Sequence, residues 1–235
     1  MKTLTIRLTA PLQSYGNRAS FSRRTTDEHP SKSAVLGMIA AAQGYKRDDP
    51  RIALLNDLSF AVRIDQPGRT LTDFQTAEWK KDTRKVTYRD YLQDAVFIVA
   101  IGGEENVIDN IAYSLKHPVY QIFLGRRSNA PAGILQLNFY ADTTPKDVLE
   151  KLEWQASNWY MKRLSRESEV RLELIADANL LPNSHSDLVK DKVISFNQRY
   201  REFDYRTVVQ QFVLVKNEYA EHEFNEGNHD AFGAW

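Results

Sequence analysis

Polar and aromatic residues crowd the first loop of this chain. Ala10-Pro11-Leu12-Gln13-Ser14-Tyr15-Gly16 leaves an N-terminal strand, and Arg18, Arg23 and Arg24 follow within a few positions. Gln13 and Ser14 can hydrogen-bond base edges or phosphate oxygens, Tyr15 offers a stacking face, and Gly16 lets a backbone approach closely. The arginines can grip phosphates. Further on, Ser31-Lys32-Ser33 opens an alanine-rich helix, where unpaired N–H groups and the helix dipole favour an anion near Lys32 and Ser33. Leu124-Gly125-Arg126-Arg127-Ser128 adds an arginine pair after a glycine. If it ends a strand, the two side chains point to opposite faces, and only one of Arg126 and Arg127 reaches a nucleic acid. Residues 66–94 interleave Arg69, Lys80, Lys81, Arg84, Lys85 and Arg89 with Phe74, Trp79, Tyr88 and Tyr91. That mixture suits single-strand binding or a partner-binding flap, and residue types do not separate the two.

Each pattern also has a plain structural reading: a surface loop, an ordinary serine cap, a surface ion pair. Other chemistries find less support. His29, His117, His185, His222 and His229 form no i, i+4 pair, there is no cysteine, and neither a Walker sequence nor a nucleophile elbow is present. No metal site or cofactor is expected.

The elements that must position these residues follow from periodicity. Thr3–Leu8 alternates as a strand, and Ser31 to Gly44 reads as a helix with a serine N-cap and a glycine stop. Leu58–Ile64 and Ala95–Ile101 are strands, the second more deeply buried, and Glu104–Lys116 has helical spacing. Tyr120–Leu124 is expected to be a fourth strand. The order strand, helix, strand, strand, helix, strand predicts an α+β, ferredoxin-like or modified RNA-recognition-motif fold over residues 1–130, with 66–94 as an insertion in its central hairpin. Residues 131–235 read as a smaller mixed α/β C-terminal region: strands at Ile134–Tyr140, Arg171–Ile175 and Thr207–Val215, a helix at Pro145–Gln155, and an acidic tail.

Composition sets the bounds. The 235 residues are 42% hydrophobic and 26% charged, as expected for a soluble globular chain. The missing cysteines suit a reducing cytoplasm, and neither a signal peptide nor a stretch of about 18 apolar residues is visible. Charge balances at 31 basic and 31 acidic residues, which argues against a free-standing non-specific nucleic-acid binder. The sign is uneven, however: residues 1–35 are basic, whereas Glu218, Glu221, Glu223, Glu226 and Asp230 make the tail acidic.

Taken in order, several segments resemble one family. They are LTAPLQSYG (Leu8–Gly16), HPSKSAVLGMIAAAQGYKRDD (His29–Asp49), YRDYLQDAVFIVAI (Tyr88–Ile101) and HPVYQIFLGRRS (His117–Ser128), with FNQRYREFDYRTV (Phe196–Val208) as a weaker echo. The sequence resembles the CasD-type subunits of the type I-E CRISPR Cascade complex, the fifth family of CRISPR-associated proteins. The resemblance implies a non-catalytic subunit for defence against foreign DNA that caps the 5′ handle of the crRNA. Handle contacts would come from Gln13, Ser14, Tyr15, Gly16, Arg18, Arg23, Arg24, Lys32, Ser33, Arg126 and Arg127. It also implies a thumb at 66–94, with Phe74, Gln75, Thr76, Trp79, Lys80 and Lys81 meeting the backbone subunit CasC. Contact with the large subunit CasA would place the chain indirectly near target DNA. Two alternatives remain: a metal-independent endoribonuclease acting through groups such as Tyr15, His29, Lys32 and Tyr88, and a protein-only scaffold.

Overall fold

Alternation along β1 (Lys2–Thr9) places Leu4, Ile6 and Leu8 on one face, each essentially inaccessible to solvent. The computed structural model describes residues 1–16, 22–182 and 184–221. β1 lies in a seven-stranded sheet with β4 (Ser59–Gln66), β7 (Val96–Gly103), β8 (Gln136–Ala141), β9 (Glu169–Asp177), β10 (Asp187–Ser195) and β11 (Glu202–Lys216). The order is β10-β11-β9-β4-β7-β1-β8, and every pairing is antiparallel. Strands from residues 1–130 and from residues 131–235 therefore share one sheet.

Both faces of its centre are covered, which explains the continuous apolar run of β7. On one face Leu4, Ile6, Phe60, Val62, Phe97 and Val99 meet α1 (Lys32–Ala42), α2 (Arg51–Leu54) and α3 (Glu105–Lys116). On the other, Ala61, Ile98, Leu172 and Leu174 meet Leu149 of α4 (Pro145–Lys151) and Met161 of α5 (Asn158–Arg163). Ser31 caps α1 by accepting from the Ala34 amide, and Gly44 ends it at φ +76°.

A fully buried ion pair sits on the second face. Arg63 and Asp65, two apart on β4, form a fork with contacts of 2.8 Å. The guanidinium also donates to the carbonyls of Leu149, Leu152 and Glu153 at the end of α4. Asp65 in turn accepts from the Gln155 amide, and its own carbonyl accepts from the Trp154 indole. The pair thus supplies hydrogen bonds that the helix end cannot make internally.

The strand expected at Tyr120–Leu124 does not form. Its backbone is spent elsewhere: the amides of Val119 and Tyr120 donate to Ala42 and Ala41 at the end of α1, and Leu124 exchanges bonds with Asn129 and Ser14. The place beside β1 goes to β8 instead. The helix expected at Pro145–Gln155 stops at Lys151, where Arg63 takes its last carbonyls.

The 66–94 insertion is a long hairpin of β5 (Arg69–Lys80) and β6 (Thr83–Gln93), turning at Lys81-Asp82 with Asp82 at φ +63°. Along its other edge β6 takes β2 (Leu12–Gln13) antiparallel and β3 (Arg23–Arg24) parallel, making a second, four-stranded sheet. The hairpin is anchored at its base by buried Tyr91 and Leu92 and is exposed over most of its length.

Candidate nucleic-acid interface

The first loop is built inward. Gln13 is buried and donates to the Ala95 carbonyl at 2.7 Å, while its own carbonyl oxygen accepts from the Tyr15 hydroxyl at 2.7 Å. Tyr15, only 5% exposed, packs edge-on against Phe97 with ring centroids 5.9 Å apart, and burial pushes its phenol pKa up. Ser14 bonds the Asp90 carbonyl through its hydroxyl and the Leu124 carbonyl through its amide. Gly16 and Gly125 are close-approach points, since a Cβ would overlap the carbonyls of Thr25 and Ser14, respectively. The side chains of Gln13, Ser14 and Tyr15, expected at the RNA, thus turn inward in this structure. These side chains lock β1, β6 and the 124–129 loop together, and their polar atoms are occupied by protein partners.

Lys32 and Ser33, also expected at the RNA, have partners within the chain. The anion at the start of α1 is the carboxylate of Asp191, which accepts from the Lys32 amide at 2.8 Å. The buried Lys32 ammonium lies 3.0 Å from Asp177, and Arg206 bridges Asp177 and Asp191 with contacts of 2.6 Å. Burial lowers the Lys32 pKa, and Asp177 opposes that shift. Ser33, half-buried, shares a hydrogen bond with the cap Ser31.

What the loop positions is an arginine face on the second sheet. Arg23 and Arg24 are neighbours on β3 and so point to opposite faces. Arg23 pairs with buried Asp90, whose carboxylate also accepts from Thr72. Arg24 lies beside Arg89 on the other face, which Tyr91 and Lys85 share by strand parity. Arg126 stacks over the Tyr91 ring at 4.4 Å and donates to the Arg24 carbonyl at 3.0 Å. Arg24, Arg89 and Arg126 thus converge, with Asp73 opposite Arg89 on β5 as the nearest carboxylate in register. The Nη1 of Arg126 and the Nε of Arg89 are buried and meet no acceptor among the described residues. Such orphaned guanidinium donors, on the face opposite the Arg23–Asp90 pair, suit a phosphate.

Arg127 is exposed in the turn that follows, so this arginine pair divides between one stacked and one solvated side chain without being in a strand. Arg18 lies outside the described residues. Arg89 is a site residue that the sequence alone does not single out, although it lies in a basic-aromatic stretch. Its inward aim depends on pairing with β3, which nothing local reveals.

The opposite face of the hairpin is apolar along its middle, short of the Arg84–Glu78 pair nearer the turn. Phe74 pairs across the strands with Tyr88 and Thr76 with Val86, and Phe74 remains 68% exposed. Gln75, Lys80 and Lys81 are exposed on the same hairpin, and Trp79 lies in β5. Of the groups considered for cleavage, Tyr15 and Lys32 are buried with internal partners, and the His29 ring lies 3.2 Å from the Pro30 carbonyl. Tyr88 is exposed. Among the described residues no three histidine or acidic side chains gather to hold a metal.

The chain is similar to known proteins in sequence and fold. The family model described as "CRISPR-associated protein (Cas_Cas5)" matches residues 3–209. The CRISPR system Cascade subunit CasD of Escherichia coli (strain K12) is 32% identical over 146 residues. That match covers 53% of this chain and 65% of the relative, so the chain spans just under two thirds of that protein. Among solved structures, a chain described as "CRISPR RNA-guided surveillance complex" is 29% identical with a TM-score of 0.73, covering 95% of both chains. Another, described as "Crystal structure of Cas protein", is 28% identical with a TM-score of 0.69, covering 94% of this chain and 98% of the other. On this evidence the chain belongs to the Cas5 family of CRISPR-associated proteins.

Proposed function

We propose that this chain is a non-catalytic, crRNA-binding subunit of a CRISPR Cascade surveillance complex, and that it holds the 5′ handle of the guide on the face formed by Arg24, Arg89 and Arg126. The observation that carries the proposal is the pair of buried guanidinium donors with no acceptor among the described residues. A phosphodiester supplies the acceptors they lack. The similar chain from a CRISPR RNA-guided surveillance complex supports the setting. The path β1-α1-β4-β7-α3-β8, whose strands lie in the order β4-β7-β1-β8, is on this reading a ferredoxin-like core. The β5–β6 hairpin is its thumb, and the exposed Phe74–Tyr88 face is the surface offered to the neighbouring backbone subunit CasC. Contact with CasA at the foot of the complex belongs to the same proposal.

The test is incubation of the purified chain with labelled repeat-derived RNA in the absence of metal, with binding and cleavage scored on one gel. The expected result is a shift that depends on the handle sequence and leaves the RNA intact. RNA cleavage that His29→Ala abolishes would show a processing enzyme instead.

A further inference from the structure

A second basic site lies away from the arginine face, where the turn after α1 meets the loop between β10 and β11. Arg47, Asp48, Asn197, Gln198 and Arg199 line an open cleft of about 560 Å³. That volume falls within the range of roughly 300–1,000 Å³ usual for small-ligand sites. Its floor is held in place from below. Phe196 packs against the core and edge-on to Phe203, and its ring lies over Gly37, where a Cβ would come within 3.4 Å of it. The Asn197 side-chain oxygen accepts from the amides of Arg199 and Tyr200, which turns the chain and leaves Tyr200 77% exposed.

The charges in this cleft are unbalanced. Neither Arg47 nor Arg199 forms an ion pair with a described residue, and Asp49, the carboxylate next to the cleft's Asp48, is committed to Arg51. Burial lowers the Arg201 pKa, and the like charge of nearby Arg47 lowers it further. Two arginines against the single carboxylate of Asp48, with Arg201 close by, leave a net positive field that a bound anion relieves. The surrounding side chains narrow the anion's identity. Gln198 offers a donor and an acceptor suited to a base edge, the Asn197 side-chain nitrogen offers a donor, and exposed Tyr200, next in the chain to the lining Arg199, offers a ring for stacking. An acidic protein segment would use the arginines but would leave these groups idle.

We infer that this cleft binds a nucleotide of single-stranded RNA, with Arg47 and Arg199 on the phosphate and Tyr200 stacked on the base. The inference rests on the RNA-binding function proposed above and adds a second point of contact on the same strand, built from the loop between β10 and β11.

The test compares the full-length wild-type chain with three variants, all checked for an unchanged melting temperature, on repeat-derived single-stranded RNA at moderate salt. The variants are Arg47→Ala/Arg199→Ala, Tyr200→Ala and Tyr200→Phe. The double variant is expected to lose about 10-fold or more in affinity, Tyr200→Ala about 10-fold, and Tyr200→Phe little, because the ring is kept. Arg24→Ala/Arg126→Ala serves as the internal reference. If the reference pair weakens binding while the cleft variants bind as wild type, the cleft is not an RNA site and the function proposed above stands. If neither set weakens binding, both that function and this inference fail.

Discussion

Replacing Asp65 with Ala is expected to destabilise the protein by about 3–5 kcal/mol, because it strands the Arg63 guanidinium in a fully buried site. Two of its five donors lose their acceptor, and the charge loses its counter-ion while remaining surrounded by the sheet and α4. The carbonyls of Leu149, Leu152 and Glu153 still hold the guanidinium, so it cannot swing out to solvent without uncapping the helix. The Gln155 amide and the turn into α5 lose their anchor as well. For a chain of this size the loss corresponds to a melting temperature lower by roughly 10 °C. Urea unfolding of Asp65→Ala beside wild type checks it. A change below about 1 kcal/mol would mean that the carbonyls alone solvate the charge.

The second large effect is expected at Gly125. Its φ of +88° is strained for any L-residue, and a Cβ would overlap the Ser14 carbonyl, part of the backbone that the first loop fixes. Gly125→Ala must therefore separate the 124–129 loop from residues 13–15, breaking the bond from the Ser14 amide to Leu124. The expected cost is about 3 kcal/mol, from strain at a positive φ plus overpacking. Arg126, the next residue, shifts off the Tyr91 ring, so RNA affinity should fall about 10-fold even under conditions where the variant stays folded. Gly133→Ala is the matched control. It has a similar φ of +85°, but a Cβ there meets nothing within 4 Å, so only the backbone strain of about 1 kcal/mol remains. Equal losses at the two positions would refute the close contact with Ser14.

These two sites show where the sequence was readable and where it was not. β1, β4, β7, α1 and α3 emerge from local periodicity because their apolar residues repeat at the spacing of the buried face. Ser31 and Gly44 mark the ends of α1 because capping is itself local. Long-range partners decide the rest. A buried glutamine and an exposed one are the same letter, and Gln13 is buried only because the Ala95 carbonyl, 82 residues away, waits for it. Lys32 and Asp191 are 159 positions apart, so nothing at the start of α1 reveals that its anion is supplied by the chain itself. Arg63 reads as an anomaly in an apolar strand until the end of α4 is placed over it. Tyr120–Leu124 has the composition of a strand, and its amides nonetheless cap α1. Arg24 and Arg126 are legible as candidates by type and by family resemblance. Their meeting with Arg89 depends on a parallel pairing of β3 with β6 that no sequence pattern announces.

The most direct test of the account is the salt dependence of RNA binding with and without the arginine face. Affinity of the full chain for handle-containing RNA is measured across a salt series for wild type and for Arg24→Ala/Arg126→Ala. Each phosphate contact contributes about 0.7 to the slope of log affinity against log salt for a single strand, so loss of two contacts should flatten the slope by about 1.4. Affinity at moderate salt should fall roughly 10- to 100-fold, with RNA left intact and the melting temperature unchanged. Superimposable lines for the two proteins would contradict the account, since the converging arginines would then make no contact with the guide.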